Sequence, residues 1–170
     1  MEKEKRILLR LAAVMLTAFL VADCSSIDCP VENTVRTYYN ICNSDGSELK
    51  IDEGLSVTSK RRDGTDTLLL NMQTGISKFS LPVSYSHPED ILIFAYSSKL
   101  GDIVYARDTV WVKKDDIPHF ESVDCNVSFF HRITDVRYTK NFIDSLVIKE
   151  SSVTYDRTQV HFILYPDTVH

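Results

Sequence analysis

Alanine is nearly absent from most of this sequence, and glycine and proline are scarce throughout. Between residues 24 and 170 alanine occurs only as Ala95 and Ala106, and the 170-residue chain has 5 glycines and 5 prolines. Few segments longer than about ten residues keep the apolar period of an α-helix. These absences argue against a helical fold, and the chain shows neither an internal repeat nor a low-complexity linker.

The motifs of common catalytic chemistries are also missing. The sequence has no Gly-x-Ser-x-Gly nucleophile elbow, no glycine-rich phosphate loop and no His-Glu-x-x-His zinc motif. No two cysteines have the spacing of about two to four residues that is typical of a zinc finger. We therefore expect no cofactor, no resident metal and no enzymatic activity.

A basic stripe, the usual mark of a nucleic-acid-binding surface, is missing as well. The chain carries 19 Lys and Arg residues and 24 Asp and Glu residues, of which residues 1–23 hold four and three, so the remainder has a net charge of −6. Such a surface predicts no nucleic-acid partner.

What the sequence does have is an export signal at its N-terminus. Lys3, Lys5 and Arg6 precede the apolar run of residues 11–22. That run is shorter than the roughly 20 residues needed to cross a bilayer. A charged start followed by a short apolar core is typical of a cleaved signal peptide, which we assign to residues 1–23.

Cys24 follows this segment at the position where bacterial lipoproteins are acylated. Asp23 departs from the small residue expected before the cysteine, and ordinary cleavage after Ala22 is the alternative. We favour lipidation of Cys24, which predicts a membrane partner through the lipid anchor. The protein would then be an inner- or outer-membrane lipoprotein of the cell envelope, facing the periplasm or the cell surface.

Export to an oxidising compartment permits disulfide bonds. With Cys24 lipidated, we favour a bond between Cys29 and Cys125, which would stabilise the fold by roughly 4–5 kcal/mol in the loop-entropy model. Cys42, within an apolar run, would then be a free and buried thiol. Without lipidation, the four cysteines allow three complete pairings.

The region after the signal is rich in the β-branched and aromatic residues that suit strands, and its glycines punctuate short apolar runs. Asp63-Gly64 lies between two alternating runs and predicts a hairpin. We assign residues 24–32 to a lead segment and residues 33–170 to a single all-β domain, an antiparallel β-sandwich that is immunoglobulin-like in a loose sense. Its strands, about nine in number, are predicted at 34–42, 49–60, 67–71, 77–84, 91–96, 104–113, 129–138, 145–149 and 159–165.

One predicted strand carries the best candidate binding surface. Val110 and Val112 would point to the core, which places Trp111 on the opposite face together with Tyr105 and Arg107. An aromatic and basic strip on the outer face could stack a sugar ring or an apolar side chain of a partner.

Two histidines offer a metal-dependent alternative. His119 and His131 lie in the densest group of potential ligands in the chain and could hold zinc for hydrolysis. Their spacing matches no zinc motif, so we favour polar residues that alternate along strands.

Several stretches resemble one uncharacterised family of lipoproteins from Bacteroidetes-type bacteria. The resemblance covers nearly the whole exported region but names no activity, substrate or catalytic residue; it implies an exported, lipid-anchored protein. The stretches that carry it are CSSIDCP at 24–30, FSLPVSY at 79–85, PHFESVDC at 118–125, FFHRITDV at 129–136 and IDSLVI at 143–148.

The sequence therefore predicts a non-enzymatic binding or assembly module of the cell envelope, which meets another envelope protein through a sheet edge or the Trp111 strip. A carbohydrate-binding module using the Trp111 face is the first alternative. A metal-dependent hydrolase using His119 and His131 is the second.

Overall fold

The computed structural model describes residues 34–61, 63–122 and 125–167. Within them all regular secondary structure is β-strand, and no helix is long and apolar enough to cross a membrane. The strands are β1 (Arg36–Ile41), β2 (Gly54–Lys60), β3 (Thr67–Gln73), β4 (Lys78–Pro82), β5 (Glu89–Ser97), β6 (Val104–His119), β7 (Ser128–Tyr138), β8 (Ile143–Ile148), β9 (Ser152–Val153) and β10 (Phe162–Pro166). The all-β prediction is confirmed, with the two-residue β9 as a strand too short to leave a sequence pattern.

The strands form two sheets that enclose one core. The four-stranded sheet has the order β4-β1-β10-β8, and the six-stranded sheet has the order β3-β2-β5-β6-β7-β9. Buried apolar residues from both sheets make a single cluster, so the predicted β-sandwich is confirmed.

The expectation of antiparallel pairing throughout was wrong at one ladder. β1 and β10 are parallel, with Tyr39 opposite Phe162 and Ile41 opposite Leu164. Strands joined by tight hairpins must be antiparallel, but β10 returns to β1 only after the chain has built the other sheet. No short turn therefore fixes its direction.

Aromatic rings fill the centre of the core. The Tyr39 ring stacks between Phe79, at a centroid distance of 4.6 Å, and Phe162, at 4.8 Å. Phe94 meets the same ring edge-on at 6.2 Å. Each such pair adds about 0.5–1.5 kcal/mol beyond simple burial, so this cluster ties the two sheets together.

The predicted Asp63-Gly64 hairpin connects β2 and β3, which pair antiparallel. Gly64 has a φ of +79°, a backbone conformation that favours glycine. The Asp63 carboxylate accepts hydrogen bonds from the backbone amide and the hydroxyl of Thr65. The local sequence thus specifies this turn.

The strand predicted at 49–60 begins later than expected. Residues 43–47 form a turn that is closed by a bridge between Cys42 and Glu48. The chain then crosses from one sheet to the other, and regular pairing starts only at Gly54. Because β1 and β2 belong to different sheets, no long hairpin can form between them.

The break predicted after residue 113 is instead a continuous part of β6. Lys114 and Asp116 look like a charged turn in the sequence, but they alternate with exposed residues as a strand requires. Beyond Lys113 β6 pairs only with β7, so Pro118 lies opposite Phe129 where the missing amide of proline is tolerated.

The sandwich has two distinct ends. The described chain begins at Thr34, and we call this the proximal end; β1 then runs away from it. The connections β5–β6 (residues 98–103) and β7–β8 (residues 139–142) lie at the opposite, distal end. The reason is that β5 and β7, although in the other sheet, run in the same direction as β1, away from the proximal end. The candidate sites separate between these two ends.

Candidate functional site

An open groove of about 900 Å³ lies at the distal end, and we call it the tyrosine groove. Small-molecule sites usually have volumes of about 300–1,000 Å³, so the size suits a ligand of one or a few rings. Two tyrosines, a carboxylate, a guanidinium and a carboxamide face it. Its lining residues are Glu53, Tyr96, Val104, Tyr105, Ala106, Arg107 and Asn141.

A β-bulge positions the most exposed of these rings. Tyr96 lies opposite Ala106 and Ser97 lies opposite Val104, which leaves Tyr105 as the extra residue on β6. Bulges re-aim side chains where a ladder is interrupted. Tyr105 is 59% exposed, and its ring centroid lies 6.0 Å from that of Tyr96.

Tyr96 is held more firmly than Tyr105. Its ring stacks on the buried Phe142 at 4.1 Å, and the Glu53 carboxylate lines the groove beside it. Burial, followed by this carboxylate, raises the pKa of Tyr96 well above its usual range. The groove therefore offers a fixed, neutral phenol at its base.

The wall of the groove is organised by a buried carboxylate, Asp108. One oxygen accepts the backbone amides of Phe142 and Ile143 at 2.7 and 2.9 Å. The other accepts the Thr139 hydroxyl at 2.6 Å and the Asn141 amide at 2.8 Å. Because Asp108 is 1% exposed, these bonds fix the whole β7–β8 connection.

This network also sets the position of Asn141. The Asn141 Nδ2 donates to the backbone oxygen of Arg107 at 2.8 Å. Asn141 and Arg107 thus lie next to each other in the groove lining, together with the exposed Tyr105. Planar polar groups next to aromatic faces can bind a ligand that has both apolar faces and hydrogen-bonding edges.

The predicted strip of Tyr105, Arg107 and Trp111 is not continuous. Val110 and Val112 are buried as expected, and Trp111 is half-buried on the other face. However, the guanidinium of Arg137 lies 5.3 Å from the Trp111 ring and bonds Glu89 at 2.8 Å. Trp111 therefore has a cation–π partner of its own and does not line the groove.

The two histidines of the hydrolase hypothesis lie in different surroundings. His119 is half-buried, bonds Glu121 at 2.9 Å and stacks on Phe130 at 4.1 Å. His131 is buried and donates from Nδ1 to Asp116 at 2.7 Å. Across the described ranges, no group of three His, Cys, Asp or Glu residues could hold a metal ion.

His131 belongs to a buried ionic cluster with Lys114 and Asp116. The Lys114 ammonium donates to Asp116 at 3.2 Å and to the carbonyl of His87 at 2.5 Å. Burial lowers the pKa of His131, an effect that Asp116 partly opposes. The neighbouring internal cavity measures only about 10 Å³, roughly room for one water, so the cluster has no space for a substrate.

Sequence reasoning found Tyr105 and Arg107 but missed Glu53, Tyr96 and Asn141. Tyr96 ends an otherwise aliphatic run, and this was the available signal. Glu53 and Asn141 lie in connections, and only the tertiary fold brings them to the groove.

Among the predicted cysteine sites, Cys42 is a free and buried thiol, as expected. Cys125 is disulfide-bonded. Cys24 and Cys29 lie outside the described residues, so the lipidation site and the Cys29–Cys125 pairing stay predictions.

Comparison with known proteins gives a family and no activity. No curated protein and no solved structure matches the chain. Residues 54–166, from the start of β2 to the end of β10, match a family of unknown function (DUF6452). Since this match covers more than half of the 170 residues, the chain belongs to the DUF6452 family.

Proposed function

We propose that this protein is an exported, lipid-anchored module of the cell envelope that binds a ligand in the tyrosine groove without transforming it. The observation that carries the proposal is the position of the groove. It lies at the distal end, whereas the described chain begins at Thr34 on the proximal end. A protein tethered through Cys24 would thus present the groove away from the membrane.

The chemistry of the groove suits binding better than catalysis. Its polar groups are the guanidinium of Arg107, the carboxylate of Glu53, the carboxamide of Asn141 and two phenols. Glu53 lies beside Tyr96 in the groove lining, and Asn141 is fixed by Asp108. Groups held in this way provide preorganised hydrogen-bonding positions at low entropic cost.

A carbohydrate is the ligand class that this combination favours. Sugar rings present apolar C–H faces that stack on exposed aromatic rings, and their hydroxyl groups match planar donors and acceptors. Tyr105 supplies the exposed ring, and Arg107 and Asn141 supply the planar groups. The carbohydrate hypothesis therefore moves from the Trp111 face to the tyrosine groove.

Two exposed tyrosines, one in the groove and one at the other end, allow a controlled test of binding. Tyr105 and Tyr85 are 59% and 67% exposed, but they lie at opposite ends of the sandwich. We expect the wild-type protein to bind on a glycan array, Tyr105→Ala to abolish that binding and Tyr85→Ala to leave it unchanged. Equal losses in both variants, or a signal that survives Tyr105→Ala, would exclude the groove.

An assembly role can be separated from carbohydrate binding in the same preparation. A photo-crosslinking residue at Arg107 would label a protein partner from native membranes if the groove serves assembly. If the protein binds no glycan on the array but forms such a crosslink, the ligand of the groove is a protein segment and not a carbohydrate. An inert array without a crosslink would overturn the groove as a binding site.

The anchor is tested independently by intact mass spectrometry of protein from native membranes. We expect a chain that begins at an acylated Cys24. An unacylated chain that begins at Asp23 would instead mean a secreted protein.

A further inference from the structure

Several exposed apolar side chains gather at the proximal end, far from the tyrosine groove. Tyr85 and Phe120 are 67% and 65% exposed, and Ile117 and Val127 are exposed as well. We call these four residues the proximal patch. Single exposed apolar residues are ordinary, but a cluster of them marks a contact surface.

Backbone pairing places the patch at one end of the β6–β7 ladder. The Tyr85 ring stacks on Phe129 at 5.5 Å, and Phe129 lies opposite Pro118 in the β6–β7 ladder. Ile117 immediately precedes Pro118 and lies on the other face of the ladder, Phe120 lies two residues after Pro118, and Val127 immediately precedes β7. The β4–β5 connection and the ends of β6 and β7 therefore meet here.

The chain enters the sandwich beside this patch. The Val83 amide donates to the Val35 carbonyl at 3.1 Å, and Thr34 and Tyr85 line one shallow groove. Thr34 lies ten positions after Cys24, and a fully extended lead of this length spans at most about 35 Å. An anchor at Cys24 would keep the proximal end within that distance of the bilayer.

We infer that the proximal patch contacts the lipid surface and orients the anchored domain. The inference rests on the lipid anchoring of the proposed function. Tyrosine has an apolar body and a polar tip and suits the interface between acyl chains and headgroups, while Phe120 and Ile117 can enter the apolar side. The tethered domain then stands on this end with its groove turned outward.

The charge around the patch indicates an apolar rather than an electrostatic contact. Lys60, which lines the same shallow groove, is paired with Asp66 at 2.7 Å. Across the ladder Arg132 lies opposite Asp115, so basic and acidic groups alternate. A polybasic surface would bind only anionic lipids, whereas this patch should tolerate a neutral bilayer.

Fluorescence quenching by brominated lipids tests this orientation in the full lipidated protein. The chain has one tryptophan, so Trp111→Phe provides a silent background. Phe120→Trp then reports on the proximal patch. Leu100→Trp is the matched control, because Leu100 is 88% exposed in the distal β5–β6 connection.

In vesicles of brominated phosphatidylethanolamine and phosphatidylglycerol, we expect roughly a twofold or greater loss of emission from Phe120→Trp, since interfacial side chains insert by about 5–10 Å. Emission from Leu100→Trp should not change. Protein that floats with the vesicles while neither reporter is quenched, or while both are quenched equally, would overturn the patch and leave the anchor intact. Protein that does not float would overturn the anchor and the inference together.

Discussion

The two ends of the sandwich both expose tyrosines, but they support them in different ways. At the distal end the Tyr96 ring stacks on Phe142, and the neighbouring Asn141 is hydrogen-bonded to the buried Asp108. At the proximal end Tyr85 rests on the ring of Phe129. Hydrogen bonds to a carboxylate hold a polar side chain in a fixed direction, whereas the stacked Tyr85 and Phe129 rings mainly present apolar area. This difference supports the proposal of a specific ligand at the distal end and of a contact without directional demands at the proximal end.

Removing the hydrogen bonds of Asp108 at the distal end should have the largest effect on the free energy of unfolding. Asp108→Asn keeps the size of the side chain but turns an amide group toward buried backbone donors. Each buried group left without a partner costs about 1–3 kcal/mol, so we expect a loss of about 3 kcal/mol or more in the free energy of unfolding. Urea denaturation would measure it, with Asp144→Asn as the control, since that carboxylate is exposed and lies 3.8 Å from Lys140.

The same variant, Asp108→Asn, tests whether the two ends of the sandwich act independently. In the residual folded protein, ligand binding at the groove should weaken, because Asn141 loses its anchor. Lipid contact through Phe120 should be unchanged. A stability loss similar to that of Asp144→Asn would show that Asp108 does not organise the distal end.

The proximal interior depends on its own ionic cluster. Asp116→Ala leaves the Lys114 ammonium, which is 1% exposed, with the His87 carbonyl as its remaining hydrogen-bond acceptor among the described residues. Removing one member of a buried pair costs about 3–5 kcal/mol, but Asp116 is 24% exposed and water can enter, so we expect about 2 kcal/mol. The double variant Lys114→Met/Asp116→Ala should recover part of this loss in urea denaturation. Additive losses would argue against coupling between the two side chains.

The sequence pattern predicted those features that depend on alternation along one strand. It placed Val110 and Val112 in the core and Trp111 on the opposite face of the same strand. In each case the residue types of one strand are sufficient to indicate which face is buried.

What the pattern missed depends on neighbours that are distant in sequence. The bulge at Tyr105 is a property of the β5–β6 register. The cover over Trp111 comes from Arg137 on another strand. Likewise, no local signal shows that Asp108 would bind the amides of residues 141–143, although its place on the core-facing side of β6 is consistent with burial.

Two buried histidines make stability depend on pH. The Tyr38 amide donates to Nδ1 of His161, and Nε2 of His161 faces the Ser152 carbonyl, so the ring is neutral. Burial lowers the pKa of His161 and of His131 below the usual value of 6.5. The unfolded chain then binds protons that the folded chain does not, and stability falls as the pH drops below about 6.5.

Each histidine contributes a slope of at most about 1.4 kcal/mol per pH unit. Between pH 6.5 and 5 we expect a combined loss of about 1–3 kcal/mol, measured as the free energy of unfolding at each pH. His161→Gln should reduce the slope by roughly half, whatever its effect on stability at pH 7. A flat profile in the wild-type protein would contradict the neutral state assigned to both rings.

The smallest expected effect concerns the Trp111 face of β6, which the sequence analysis predicted as a binding surface. Arg137 covers the ring of Trp111 from the opposite position on β7, and Glu89 holds its guanidinium. Because Arg137 is exposed, its removal should cost only about 0.5–1 kcal/mol. The emission of the single tryptophan should shift to the red in Arg137→Ala, as water reaches the ring, and should stay unchanged in Arg132→Ala on the same strand. If Arg137→Ala leaves the emission spectrum unchanged but the variant now binds glycans, the Trp111 face is a binding surface that Arg137 normally blocks. A red shift without glycan binding at this face would leave the tyrosine groove as the proposed binding site.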